Sequence, residues 1–225
     1  YDEANDRYIL KGIIPAQETL RAAETVNPPL ELSSWHYGLL TAQLWRERMG
    51  MKRVPEWDEL LAKLSPLAAD DQHRYLAAES ALDSYTNTRY LTDHPAVLGA
   101  LGMYPDNRLI DKEIMGNTLH ALWNLWGWDT SWGWDYPMTA MCAARLGEPD
   151  KAVDALLMSE TKNTYLPNGH NYQSPRLRLY LPGNGGLLTA VGQMCAGWDG
   201  STGVNPGFPS DGTWNVKWEG LSPMP

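Results

Sequence analysis

Proline stands at or just ahead of five stretches with helical spacing: Pro28-Pro29, Pro55, Pro95, Pro137 and Pro149. Its fixed φ and missing N–H suit the first turn of an α-helix and almost nothing else inside regular structure. The first stretch carries Leu32, Trp35, Leu39, Ala42, Trp45 and Met49 at helical intervals, which predicts a helix over about 28–49, with Asn27 as its cap. A shorter helix follows Pro55 through Trp57, Leu60, Leu61 and Leu64 and stops at Ser65-Pro66. His94-Pro95 opens another that Gly102 ends. Asp111 caps a longer one with Met115, Leu119, Leu122 and Trp126 on one face. Asp135-Tyr136-Pro137 starts a helix to Leu146, and Gly147-Glu148-Pro149-Asp150 turns tightly into one ending near Met158.

Between these stretches, 70–93 is mixed and polar, and 160–183 reads as a long loop of Asn, Gly, His, Tyr and Pro. A last helix is expected from Gly185-Gly186 to about Ala196, and one short strand at Thr213 to Trp218. No strand–helix alternation and no fixed repeat appears, so the expected class is all-α, built of helical hairpins with long loops.

At 225 residues and 43% hydrophobic content the chain can bury a core as one domain or as part of a larger one. With 27 acidic against 18 basic residues, the net charge of -9 and the absence of a basic stripe argue against nucleic acid as a partner. No apolar run approaches the roughly 20 residues of a membrane span. Residue 1 is Tyr, with no leader pattern after it, and the expectation is that the true beginning lies upstream. Cys142 and Cys195 fall inside apolar helical patterns and read as core thiols more readily than as a disulfide. His36, His73, His94, His120 and His170 are too scattered for a ligand set, so no metal and no cofactor is expected.

The chemistry concentrates between Trp123 and Tyr136, where five tryptophans fall within a dozen positions with Asp129 and Asp135 among them. Indole faces cover the apolar face of a sugar ring, and carboxylates and amides take its hydroxyls, so Trp128, Trp132 and Trp134 are candidate substrate-binding residues. A tryptophan-rich core is the equal alternative. The loop Pro167 to Gln173 adds His170, Asn171 and Tyr172, a donor and acceptor set suited to sugars, and equally a self-satisfied polar loop. Glu18 stands on a loop before the first helical pair, placed to be the proton donor of glycoside cleavage. Glu31 is a minor alternative, since a first-turn acid also complements the helix dipole. Arg176 and Arg178 alternate with Leu177 and Leu179 and read as solvent-facing.

Pro15-Ala16-Gln17-Glu18 with Asn27 resembles a relaxed form of the loop around the general acid in glycoside hydrolase family 65, and a related loop of family 95. Gly133-Trp134, then Ala144-Arg145-Leu146-Gly147 and Lys151-Ala152, resembles a family 95 stretch, as does Leu181-Pro182-Gly183-Asn184-Gly185-Gly186. The similarity runs over most of residues 12 to 196. It implies a six-hairpin (α/α)6 glycosidase, of which this chain, with about seven helices where a ring has twelve, is the C-terminal portion. The N-terminal remainder of the same polypeptide is then its partner, the substrate an oligosaccharide or glycoside, and the location outside the cytoplasm or in the periplasm.

By the same resemblance Glu18 is the general acid of an inverting hydrolase acting on an α-linked sugar, and Asn184 lies in the substrate cleft. Pro182 occupies the position of the family 95 base, a departure that leaves Asp129, Asp135 or an upstream residue for that role. Asp135 is also a natural helix cap, the heavier reading, and Asp129 heads a turn. A catalytically silent sugar-binding protein and a family 65-like phosphorylase are the alternatives. The latter would hold phosphate on backbone N–H groups of Gly183 to Gly186.

Overall fold

The computed structural model describes residues 1–225. Seven α-helices account for nearly all its regular structure: α1 Pro29–Arg48, α2 Pro55–Lys63, α3 Ala96–Gly102, α4 Lys112–Leu125, α5 Asp135–Arg145, α6 Pro149–Leu157 and α7 Leu181–Ala196. The protein is mostly helical. Its one sheet is a two-stranded antiparallel hairpin, β1 Thr164–Tyr165 with β2 Asn171–Tyr172, inside the expected loop. No helix is long and apolar enough to cross a membrane.

The proline rule holds for the helix starts. Pro29, Pro55 and Pro149 sit in the first positions of α1, α2 and α6, and Pro95 immediately precedes α3. Asp111 caps α4 as expected, its Oδ1 accepting from the N–H groups of Glu113 and Ile114 at 2.9 and 3.2 Å. Met115, Leu119, Leu122 and Trp126 are all buried on one face of α4.

The odd-numbered helices contact one another in succession, α1 on α3, α3 on α5 and α5 on α7, while α2 lies against α1 and α6 against α5. Every residue of α5 is buried, which makes it the axis of the fold. Gly102 explains how closely α3 approaches it, because a Cβ there would overlap the Met138 carbonyl oxygen on α5. Each large side chain sealed in this core, Leu98, Leu101, Met115 or Met138 among them, contributes roughly 1.5–3 kcal/mol. Cys142 and Cys195 lie in the same helical layer as buried free thiols.

Four expectations are corrected. Asn27 does not cap α1: its backbone is left-handed at φ 51°, and its fully buried side chain accepts from the Leu10 N–H at 2.7 Å and donates to Ser65 and Glu79 at 3.0 and 2.7 Å. Three distant segments meet on that one amide. The apolar stripe of α1 faces outward beyond Leu32, with Trp35 53%, Trp45 58% and Met49 62% exposed. Ser33, His36 and Gln43 are buried instead, because Gln43 closes a reciprocal pair of bonds with the Val54 backbone at 2.7 and 3.0 Å ahead of α2. Helix α7 begins at Leu181 and absorbs Gly185-Gly186, since Pro182 seeds its first turn and Gly186 packs on Pro137. Residues 213–218 form no strand, for want of a neighbouring edge to pair with.

Candidate active site

The loop bearing Glu18 is pinned on both sides of it. Gln17 is buried and donates to the Tyr90 carbonyl at 3.1 Å, and Leu20 packs with Ala77, Ala78, Ala81 and Tyr90 in a small second core. The Ala16 N–H donates to Glu31 Oε1 at 2.5 Å, tying the loop to α1. Burial raises the Glu31 carboxyl above the ordinary carboxylate range, and the bond from Ala16 takes back part of that rise. Glu18 itself is exposed between these anchors.

Its backbone N–H donates to Asp93 Oδ2 at 2.6 Å. The other oxygen of that carboxylate accepts from the indole N–H of Trp132 at 3.2 Å and lies 3.6 Å from His94 Nε2. Asp93 is held for this bridge in a left-handed conformation, φ 74°, with its N–H on Thr130 Oγ1 at 3.0 Å. A non-glycine residue adopts that backbone at a cost of about 1–2 kcal/mol, offset here by four fixed contacts.

His94, at the start of α3, is boxed by indoles, its ring centroid 5.9 Å from Trp132 and 4.8 Å from Trp134. Its Nδ1 meets both oxygens of Asp135 at 2.9 and 3.0 Å. The Asp135 carboxylate also accepts the Trp132 backbone N–H at 2.7 Å and has no exposed surface. It therefore serves the loop preceding α5 and His94, and caps no N–H inside the helix. Burial pushes the Asp135 carboxyl up to about 6, against the pull of His94. Burial also disfavours a charged His94, but bonding to Asp135, with the fields of Asp93 and Glu18 behind it, outweighs this and holds the imidazole above its ordinary value. Tyr180, 5.5 Å from Trp132 between ring centroids, has its phenol pushed up to about 12 by burial and by the fields of Asp135, Glu18 and Asp93.

Beside this cluster opens a cavity of about 380 Å³ lined by Trp132, Lys162, Gln173, Ser174, Arg176 and Leu177. The Lys162 ammonium stands 5.6 Å from the Trp132 ring centroid and donates to the Thr130 carbonyl. Glycine is required at 133, where any Cβ would overlap the Asn171 side chain. The Gly133 N–H donates to Gln173 Oε1 at 2.9 Å, so the wall of the cavity is bonded to the tryptophan corner.

The structure thus brings together Glu18, Trp132, Trp134 and Asp135, and separates the rest of the expected set from them. Trp128 packs between Trp123 and Tyr136 against the main core, its N–H on the Trp123 carbonyl at 3.2 Å. Asp129 is exposed in the 3-10 turn Trp128–Thr130 and shares no hydrogen bond with the His94–Asp135 pair. Asn171 is fully buried, donating its amide to the Lys162 and Thr164 carbonyls, and Asn184 accepts from the Asn171 N–H while donating to Gly169. Both hold the hairpin and the start of α7 together. His170 and Tyr172 are half-buried on that hairpin without side-chain bonds. Arg176 and Arg178 are exposed, as expected.

Asp93 and His94 are the members of this cluster that sequence reasoning missed. One signal was present: of the five histidines, only His94 has an acid as a chain neighbour. No model of a known protein family matches this chain, and no curated protein matches it significantly.

Proposed function

We propose that this chain forms part of the catalytic domain of a glycoside hydrolase, with Glu18 as proton donor and Trp132 and Trp134 as the sugar platform. Asp93 carries the reading. One carboxylate accepts both the Glu18 backbone and the Trp132 indole, so the acid-bearing loop and the aromatic corner are joined through a second acid.

In this reaction Glu18 gives its proton to the leaving oxygen as the bond to the anomeric carbon breaks, and a water attacks that carbon from the opposite face. Asp93 takes the water's proton. The part given to Asp129 or Asp135 passes to Asp93 because Asp129 stands outside the cluster and Asp135 is sealed from substrate. Asp135 and His94 are positioning residues that hold Trp132 and Asp93 in place. Inversion and an α-linked substrate rest on the resemblance to families 65 and 95 alone. A larger ring of helical hairpins is supported by the open ends of the helix row, which expose Trp35, Trp45 and Met49 on α1 and Leu181, Leu188 and Val191 on α7.

The test compares oligosaccharide binding by calorimetry with product release. Glu18→Gln is expected to keep binding while losing turnover of glycosides with poor leaving groups, and Asp93→Asn to lose turnover whatever the leaving group. Full activity of Glu18→Gln removes it from the mechanism. A catalytically silent sugar-binding protein is favoured by Pro182 at the family 95 base position and by the sealed Asp135. Binding without any product distinguishes it. Release of a sugar 1-phosphate only when phosphate is present would identify a phosphorylase.

A further inference from the structure

The cavity of about 380 Å³ beside the acid cluster is walled by side chains from one stretch of chain, 132–177. Its size is that of a small-molecule site. Two of its lining residues are cations, Lys162 and Arg176, and none is a carboxylate. The half-buried Lys162 ammonium is held by the Thr130 carbonyl at 3.2 Å and by the Trp132 ring, with further N–H groups left to donate. Arg176 is exposed and brings a planar fork of donors that matches the edge of a carboxylate or sulfate. Gln173 is already spent, its Oε1 on the Gly133 N–H at 2.9 Å and its amide on the Ser131 carbonyl at 3.4 Å. Ser174 Oγ accepts from the Leu177 N–H at 3.0 Å, which leaves its hydroxyl proton to donate. These side chains offer donors and positive charge, and no negative group to match them.

Trp132 belongs both to this wall and to the acid cluster. Its indole N–H donates to Asp93, the carboxylate that also accepts from the Glu18 backbone. The cleft is thereby polarised, with carboxylates at the N–H edge of the indole and cations in the cavity that the indole walls. An anionic group on a ligand is repelled at the first end and attracted at the second. The net charge of -9 adds to this contrast, since the chain as a whole turns anions away and only grouped cations can hold one.

We propose that the sugar held on Trp132 carries an anionic substituent, a carboxylate or a sulfate ester, which seats in this cavity on Lys162, Arg176 and the Ser174 hydroxyl. The inference rests on the reading of Trp132 as the sugar platform and names the substrate class as an acidic glycan. The substituent also sets direction. With its charge in the cavity, the sugar presents its glycosidic bond to Glu18 and Asp93.

Calorimetry with the full chain compares oligogalacturonides and oligoglucuronates with their methyl esters, and sulfated galactan oligosaccharides with their desulfated forms. Inorganic phosphate and sulfate serve as free anions. An acidic oligosaccharide is expected to bind about ten- to hundredfold more tightly than its neutral counterpart, with added salt narrowing the gap, and the two arms separate carboxylate from sulfate. Arg176→Gln, at an exposed position, should cut that preference about tenfold, whereas Arg178→Gln, outside the cavity wall, should leave it unchanged. Neutral oligosaccharides bound as tightly as acidic ones overturn the proposal while the hydrolase reading stands, as does a preference that survives Arg176→Gln. Free anions bound as tightly as the acidic sugars also overturn it. Acidic oligosaccharides bound through Arg176 but never cleaved uphold it and overturn the hydrolase reading. Binding of no oligosaccharide at all overturns both.

Discussion

Replacing Asp135 with Asn removes one buried negative charge while keeping shape and two hydrogen-bonding atoms, and its effect is a change in how stability depends on pH. In the fold Asp135 gains its proton at about 6, against 3.8 for an unperturbed Asp, so between those values the folded chain binds more protons than the unfolded one. Stability then falls as pH rises through that window. The difference of about two units corresponds to about 3 kcal/mol at most. His94 adds to the same slope, because its raised value means that its share of stability is present at low pH and lost as pH climbs past 6.5. Removing Asp135 leaves a buried imidazole that resists protonation, so the variant weakens on acidification. Wild-type minus variant stability, from urea unfolding at pH 4 to 8, should therefore decline by roughly 2–3 kcal/mol with rising pH. Subtraction cancels carboxylates held low by their ion pairs, such as Glu79 and Asp70, which slope the other way. Parallel profiles for the two proteins would show that the Asp135–His94 pair does not bind protons as described.

Gly133→Ala should destabilise by about 1–3 kcal/mol or prevent folding, since the added methyl overlaps Asn171, while Gly116→Ala on α4, where nothing stands within 4 Å, should stabilise by about 0.5–1 kcal/mol; denaturation midpoints check both. Asn27→Ala breaks three bonds at a left-handed position and should cost roughly 2–5 kcal/mol, a loss below about 0.5 kcal/mol contradicting its cross-linking role. Trp132→Ala should weaken oligosaccharide binding about tenfold and also cost about 1–3 kcal/mol of unfolding free energy, because its ring packs on His94 and Tyr180 and its indole N–H holds Asp93. Trp128→Ala should cost about 2–4 kcal/mol while leaving binding unchanged in the folded protein.

Most helix positions were legible in the chain itself because proline and aspartate act through local backbone chemistry. Pro29, Pro55 and Pro149 have no N–H to lose in a first turn, and the Asp111 carboxylate reaches two amides within three residues. These are short-range facts that need no partner helix. The same holds for the α4 face, where apolar spacing and burial agree.

What local chemistry cannot encode is which groups meet across the fold. α1 turned its tryptophans outward because Gln43 found the Val54 backbone, a contact invisible in helical periodicity. Asp135 looked like a cap, but its carboxylate points to an imidazole 41 residues earlier. Asp93 looked like nothing, and it joins Glu18, 75 residues before it, to Trp132, 39 after. Desolvation and pairing depend on atoms brought together from remote positions, and only tertiary packing decides which carboxylates are sealed, which are free and which hold a proton near neutrality.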